Sequence, residues 1–96
     1  MNVQDIIQTR NFTLIDVREP IELELDGSIE GAINFPLSEI ESKINDLKKI
    51  DGAKIIFCKA GGRAGSAVQY LTDHGFTDLY NGGGFTMLNY MLQGSN

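Results

Sequence analysis

One segment joins two kinds of structure in this chain: Lys54-Ile55-Ile56-Phe57-Cys58-Lys59-Ala60-Gly61-Gly62-Arg63-Ala64-Gly65-Ser66. After Lys54, the segment begins with a short apolar run, residues 55–58, with two β-branched side chains, which predicts a buried strand ending at Cys58. A glycine-rich loop follows, and the residues from Ser66 onward are compatible with a helix. A strand, a glycine-rich loop and a helix in this order direct backbone N–H groups and the positive end of a helix dipole toward the loop.

The only cysteine of the chain, Cys58, lies where this strand should end. Unpaired amides, a helix N-terminus and a nearby cation all favour the thiolate, which is the nucleophilic form. We therefore predict that Cys58 is a catalytic nucleophile and that Lys59, Ala60, Gly61, Gly62 and Arg63 bind its substrate. The backbone amides of the loop would surround an anion, and the side chains of Arg63 and Lys59 would supply positive charge. A lone cysteine in a strand is more often a core residue, but the glycine pair and the cation beyond it favour the functional interpretation.

The composition describes an ordinary globular chain of 96 residues, which we interpret as a single domain spanning residues 1–96. No apolar run approaches the roughly 20 residues that cross a bilayer, and residues 1–5 lack the features of a signal peptide. We therefore expect a cytoplasmic protein with no membrane partner. The net charge of −5 argues against nucleic-acid binding. A single cysteine excludes an internal disulfide and a thiolate metal cluster, and the sequence predicts no metal site and no cofactor.

Apolar periodicity and turn residues predict an alternation of short strands and helices along the chain. The predicted strands are 12–17, 32–35, 54–58 and 76–80. The predicted helices are 3–10 with Asn2 as N-cap, 20–25 beginning at Pro20, 39–48 with a capping box from Ser38 to Glu41, 63–73 closed by Gly75, and 85–92. Residues 81–84, Asn-Gly-Gly-Gly, are predicted to form a turn.

This alternation predicts an α/β fold in which a parallel sheet is covered by helices on both faces. Sites in such sheets form at the carboxyl ends of the strands, where Cys58 lies. Asp16 and Arg18 follow the first predicted strand on the same side, so they are candidates for supporting the loop, and a purely structural Asp–Arg pair is an equal alternative. The only histidine, His74, should lie at the far end of the helix that follows the loop, too distant to pair with Cys58.

Three motifs resemble those of single-domain rhodaneses, and together they span most of the chain. The segment CKAGGR at residues 58–63 matches the C-x-x-G-x-R active-site loop. The segments DVREP at 16–20 and GSIEGAINFP at 27–36 are similar to the D-V-R-E-P and G-H-I-x-G-A-x-N-I-P motifs, and GGFTML at 83–88 is similar to G-G-x-x-x-W. Ser28 stands where the family commonly has His, and Leu88 where it commonly has Trp; both positions are interpreted as structural.

The resemblance implies a rhodanese-like fold with a five-stranded parallel sheet flanked by helices on both faces. It also implies a thiosulfate sulfurtransferase in which Cys58 takes sulfur from thiosulfate or another donor as a persulfide. The sulfur would then pass to cyanide, a thiol or a protein acceptor. Because the chain has one cysteine, the acceptor would have to be external.

Two other functions remain as alternatives. Cysteine phosphatases and arsenate reductases use a similar loop with five residues between Cys and Arg, whereas four lie between Cys58 and Arg63. The shorter loop favours sulfur over phosphate. The second alternative is a non-catalytic binding module of the same fold, against which the intact Cys58 and the complete loop argue.

Overall fold

The computed structural model describes residues 2–94, which form five α-helices, four strands and two short 3₁₀ turns. The helices are α1 (Val3–Thr9), α2 (Pro20–Asp26), α3 (Ile44–Lys48), α4 (Gly62–Asp73) and α5 (Phe85–Gln93). The strands are β1 (Thr13–Asp16), β2 (Ile33–Asn34), β3 (Lys54–Cys58) and β4 (Leu79–Gly84). The 3₁₀ turns are Leu37–Glu39 and Glu41–Lys43.

Two helix ends, the start of α1 and the end of α4, form as their cap residues predicted. Asn2 caps α1, where its side chain accepts from the Asp5 amide and the Asp5 carboxylate accepts from the Asn2 amide. After the C-terminal end of α4, Gly75 adopts φ +88°, and the backbone N–H of Phe76 donates to the Leu71 carbonyl. This is the C-terminal motif that glycine permits.

The four strands are parallel and lie in the order β2-β1-β3-β4. The chain goes from β1 to β2 on one side and later returns to β3 and β4 on the other side of β1. The strand order therefore reverses between β1 and β3, and the carboxyl ends of strands at such a reversal are where parallel α/β sheets commonly form their sites. Cys58 ends β3 at that edge, and Asp16 ends β1 beside it, paired in register with Phe57.

Each face of the sheet has its own apolar core. On one face Ile56 and Cys58 of β3 pack with Ala64, Ala67 and other residues of the α3 and α4 side. On the opposite face Ile55 and Phe57 pack with residues of α1 and α5, including the fully buried Leu88. The two-residue period of the strand thus directs the Cys58 side chain toward α4.

The predicted fold class is confirmed, but the predicted count of five strands is wrong for residues 2–94, where the sheet has four. The strands read from the residues themselves number four, and the fifth was implied only by the family resemblance. The residues before β1 form α1, as the helical spacing of Val3, Ile6 and Ile7 predicted, and the last two are buried.

The prediction of one capped helix over residues 39–48 is wrong. Ser38 caps nothing, because its hydroxyl donates to the Glu19 carboxylate at 2.9 Å. The Leu37 amide is also tied to the Val17 carbonyl at the end of β1, at 3.0 Å. These two anchors hold the start of the segment in 3₁₀ turns, so the α-helix begins only at Ile44.

The predicted turn at residues 81–84 is also wrong, since these residues complete β4 beside β3. Gly82 and Gly84 allow close packing against β3 and the loop after Cys58 rather than a chain reversal. A Cβ on Gly82 would lie 2.7 Å from Cγ2 of Ile55, and one on Gly84 would lie 2.7 Å from the carbonyl oxygen of Lys59. The predicted strand at 76–80 accordingly begins later, at Leu79, after Asp78 has turned the chain with φ +61°.

Among residues 2–94, no helix combines the length and the apolar character that a membrane span requires. The cytoplasmic location stays a prediction from the sequence.

Candidate active site

Cys58 lies at the last position of β3 and is 1% exposed. Its sulfur faces the first turn of α4, because the strand period places it on the α4 side of the sheet. The loop that covers it is open to solvent at Lys59 and Ala60. The sulfur is therefore held at the bottom of a short loop whose upper residues are accessible.

Two backbone amides donate to the sulfur. The Gly61 N–H lies 3.0 Å from Sγ of Cys58, and the Ala64 N–H lies 3.3 Å from it. Gly61 is the N-cap of α4 and adopts φ +99°, a left-handed conformation that glycine reaches without strain. The amides of Gly62 and Arg63 belong to the same first turn, in which backbone N–H groups lack intrahelical acceptors. The sulfur thus accepts from the end of a helix that stabilises negative charge.

Of the predicted loop residues, the structure brings the Gly61 amide to the sulfur, whereas the Ala64 amide was missed by the sequence analysis. The prediction stopped at Arg63 because it followed the motif and not the helical turn. The signal was available, since a helix beginning at Gly62 makes Ala64 its third residue, whose amide points out of the N-terminus.

The side chain of Arg63 binds a carboxylate that the sequence analysis also missed. Its Nη1 and Nη2 donate to the two carboxylate oxygens of Glu22 in α2, at 2.6 and 2.8 Å. The Arg63 hydrogen bond is the largest cause that lowers the pKa of Glu22 from 4.5 to about 2, and the Glu19 backbone N–H adds to it. In return, the Glu22 hydrogen bond raises the pKa of Arg63. No local sequence signal links two residues 41 positions apart.

Lys59 extends into solvent, with 66% of its side chain exposed, and its Nζ lies 3.9 Å from Oδ2 of Asp26. Asp26 ends α2, the helix that also carries Glu22. Both cations of the loop therefore face carboxylates of α2.

Asp16 and Arg18 form a buried ion pair at the end of β1. Arg18 Nε lies 3.1 Å from both carboxylate oxygens of Asp16, and its Nη2 lies 2.7 Å from Oδ2. Nη2 also donates to the Gly27 carbonyl at 2.9 Å, and the guanidinium carbon lies 4.2 Å from the ring centroid of Phe85. Within residues 2–94, Arg18 Nη1 finds no hydrogen-bond partner. The contacts of the pair join β1, the end of α2 and the start of α5.

Three other residues singled out from the sequence lie in settings that do not involve the sulfur. His74 caps α4, about 18 Å along the helix from Gly62, and its Nδ1 lies 2.7 Å from the Tyr70 carbonyl oxygen. Leu88 is fully buried in the core on the α5 side, and Ser28 is exposed.

Comparisons with known proteins point to the family that the sequence motifs resemble. The sequence model of the rhodanese-like domain family matches residues 2–87. The chain is 43% identical to the uncharacterized protein YqhL of Bacillus subtilis over 79% of this chain and 60% of that protein. It is 38% identical to the thiosulfate sulfurtransferase PspE of Escherichia coli, over 73% of this chain and 67% of that protein. The chain thus spans less than two thirds of YqhL and about two thirds of PspE.

Solved structures show the same similarity. A rhodanese with anions from E. coli superposes with a TM-score of 0.66 at 32% identity, over 79% of this chain and 89% of that one. The human single-domain sulfurtransferase TSTD1 superposes with a TM-score of 0.65 at 28% identity, over 82% of this chain and 80% of that one.

Proposed function

Because the chain belongs to the rhodanese-like domain family, we propose that it is a sulfurtransferase that works through a persulfide on Cys58. The donor is thiosulfate or a thiol-bound persulfide, and the acceptor is cyanide, a thiol or a protein. The observation that carries the proposal is the pair of backbone amides of Gly61 and Ala64 that donate to the Cys58 sulfur at the carboxyl end of β3. The sulfurtransferase names of PspE and TSTD1 support it.

In the first half-reaction the Cys58 thiolate attacks the outer sulfur of the donor. With thiosulfate, a new S–S bond forms on Cys58 as the sulfur–sulfur bond of thiosulfate breaks, and sulfite leaves with the bonding electron pair. The product is a Cys58 persulfide anion. The amides of Gly61 and Ala64, which donate to the Cys58 sulfur, and the other N–H groups in the first turn of α4 would stabilise the negative charge on this added sulfur.

In the second half-reaction a nucleophilic acceptor attacks the outer sulfur of the persulfide. With cyanide the products are thiocyanate and the original Cys58 thiolate. The chain has no second cysteine to resolve the persulfide, so the acceptor arrives from outside. A covalent intermediate formed between two substrates predicts ping-pong kinetics.

The loop cations provide the remaining part of the proposed site. Arg63 has five N–H donors, of which the pair with Glu22 uses two. The others are available to orient an anionic donor, and Lys59 lies at the exposed rim. The preference among donors should depend on how the α2 carboxylates, Glu22 and Asp26, change the positive charge of Arg63 and Lys59.

Intact-protein mass spectrometry tests the proposed function. Treatment with thiosulfate or cysteine persulfide should add one sulfur, about 32 Da, in the covalent step, and cyanide should remove it. The Cys58→Ala variant is the matched control and should gain nothing. If the wild-type protein gains no sulfur from either donor, the sulfurtransferase proposal is wrong and a binding module is the better interpretation.

A further inference from the structure

The cation expected to bind a donor already holds an internal anion. The two oxygens of the Glu22 carboxylate face the two terminal nitrogens of Arg63 in a bidentate pair at 2.6 and 2.8 Å. Glu22 is fixed from the other side as well, because the Glu19 backbone N–H donates to its Oε2 at 2.9 Å. Its side chain is 21% exposed and that of Arg63 36%, so the pair lies at the rim of the site, within reach of a solute.

The carboxylate of Glu22 compensates the positive charge of Arg63 at the pH of ordinary assays. The hydrogen bond from Arg63 is the main cause that lowers the pKa of Glu22 to about 2, so Glu22 is ionised near neutral pH. Lys59, the other cation of the loop, lies 3.9 Å from the Asp26 carboxylate. A dianion that approaches Cys58 consequently meets an Arg63 whose charge Glu22 compensates, and an exposed Lys59 that has a carboxylate 3.9 Å away.

We propose that Glu22 is a specificity-determining residue that disfavours dianionic sulfur donors such as thiosulfate and thereby favours thiol-bound persulfides. The inference rests on the proposed sulfurtransferase function of Cys58. A thiol-bound persulfide places little charge on the leaving side of the reacting sulfur, so the Glu22 carboxylate does not repel it. An inorganic dianion that binds the remaining donors of Arg63 is repelled by that carboxylate.

The favoured reaction balances without a further reactant. The Cys58 thiolate attacks the outer sulfur of a neutral persulfide, R–S–SH, and forms Cys58–S–SH. The S–S bond of the donor breaks, and the leaving thiolate, R–S⁻, carries away the bonding electron pair. No dianion is bound or released at any point.

Anion binding to a protein that cannot react separates this effect from catalysis. In a Cys58→Ala background, calorimetry gives the Kd of thiosulfate with Glu22 intact and with Glu22→Gln. Glutamine keeps the size of the side chain and an oxygen for the Arg63 and Glu19 donors. Removing the Glu22 charge beside Arg63, at a partly exposed and screened position, should tighten thiosulfate binding about five- to tenfold. Thiocyanate, a monoanion, should gain only about two- to threefold by the same relation.

Glu24→Gln is the matched control, because Glu24 lies on the same helix, is exposed and changes the net charge equally. It should leave both Kd values within about twofold, since its charge is distant and screened. Asp26→Asn, near Lys59, should tighten thiosulfate about twofold and provides a second test if Glu22→Gln folds poorly. Equal effects on the dianion and the monoanion, or weaker thiosulfate binding in Glu22→Gln, would overturn the proposal and leave Glu22 as a positioning residue for Arg63.

Steady-state kinetics with Cys58 intact complete the test. Glu22→Gln should lower KM for thiosulfate about five- to tenfold with kcat nearly unchanged, and KM for cysteine persulfide should stay within about twofold. Failure of the sulfurtransferase function appears separately, as the absence of a mass gain in the wild-type protein with either donor. In that event the Kd measurements in the Cys58→Ala background still decide whether Glu22 excludes dianions.

Discussion

The chain contains two ion pairs of nearly equal length at neighbouring strand ends, and their surroundings differ greatly. Asp16 and Arg18 meet at 2.7 Å after β1, with side chains 1% and 0% exposed. Glu22 and Arg63 meet at 2.6 Å beside the β3 loop, with side chains 21% and 36% exposed. Short distances alone therefore do not distinguish the roles of the two pairs, whereas burial does.

The buried pair is bound on several sides, because Arg18 also contacts the Gly27 carbonyl and the ring of Phe85. Removing either charge would leave the other without compensation in a low-dielectric interior. The rim pair is accessible to solvent, so water can replace a lost partner at small cost. A residue of the rim pair can therefore vary to adjust substrate choice, whereas a residue of the buried pair cannot vary without loss of stability.

The largest expected effect is on stability, from Asp16→Ala. The change leaves the Arg18 guanidinium buried and uncompensated, which typically costs about 3–5 kcal/mol of unfolding free energy. Urea denaturation measures it, with Glu22→Ala as the comparison at about 1 kcal/mol or less. Equal losses in the two variants would show that the difference in burial is energetically unimportant.

The second prediction concerns the glycine that lies beneath the β3 loop. Gly84→Ala places a Cβ 2.7 Å from the Lys59 carbonyl oxygen, and this backbone atom must move. We expect a loss of about 1–3 kcal/mol of unfolding free energy, as in other overpacked sites, together with slower persulfide formation. The unfolding free energy tests the predicted loss of stability, and the rate of mass gain with cysteine persulfide tests the predicted slowing of persulfide formation.

Gly65→Ala is the control for this prediction. Its Cβ would have ordinary space, with Asn81 Nδ2 at 3.6 Å, and the residue lies within α4. Alanine there should raise the unfolding free energy by about 0.5–1 kcal/mol, since glycine is the poorer helix former. A loss in Gly65→Ala as large as that in Gly84→Ala would contradict the argument from close approach.

The smallest predicted effect is a pH dependence that belongs to the rim pair. The folded pKa of Glu22, about 2, lies below its ordinary value of 4.5, so the folded state binds the proton less readily. The stabilisation is complete above the ordinary pKa and is lost as pH falls from about 4.5 toward about 2. Screening at this exposed site limits it to about 1 kcal/mol.

This contribution is measured as the difference in unfolding free energy between wild type and Glu22→Gln. The difference should be about 1 kcal/mol at about pH 6 and should approach zero near pH 2. Glu24→Gln should show no such convergence. A difference that stays constant over this range would mean that the charge of Glu22 does not stabilise the fold.

The sequence predicted the local elements whose signals lie within one turn or strand. The cap at Asn2, the helix from Pro20, the strand before Cys58 and the glycine closure at Gly75 all depend on neighbouring residues, and the structure confirms them. Where a predicted element is wrong, contacts with residues distant in the sequence determine the structure instead. Ser38 turned to Glu19 instead of capping its own helix, and the glycines at 82–84 extended a strand because β3 and the loop approach them closely.

The sequence by itself determined the strand, loop and helix that hold Cys58, because hydrophobic periodicity and glycine conformation act over a few residues. It could not determine that Arg63 meets Glu22 or that Asp16 and Arg18 are buried. The Arg63 contact joins residues 41 positions apart and exists only because the strand order reverses between β1 and β3. The burial of Asp16 and Arg18 depends on packing against α5, whose residues lie near the end of the sequence. Tertiary structure therefore decided the electrostatics of the site, since charge interactions depend on distance and burial rather than on sequence position.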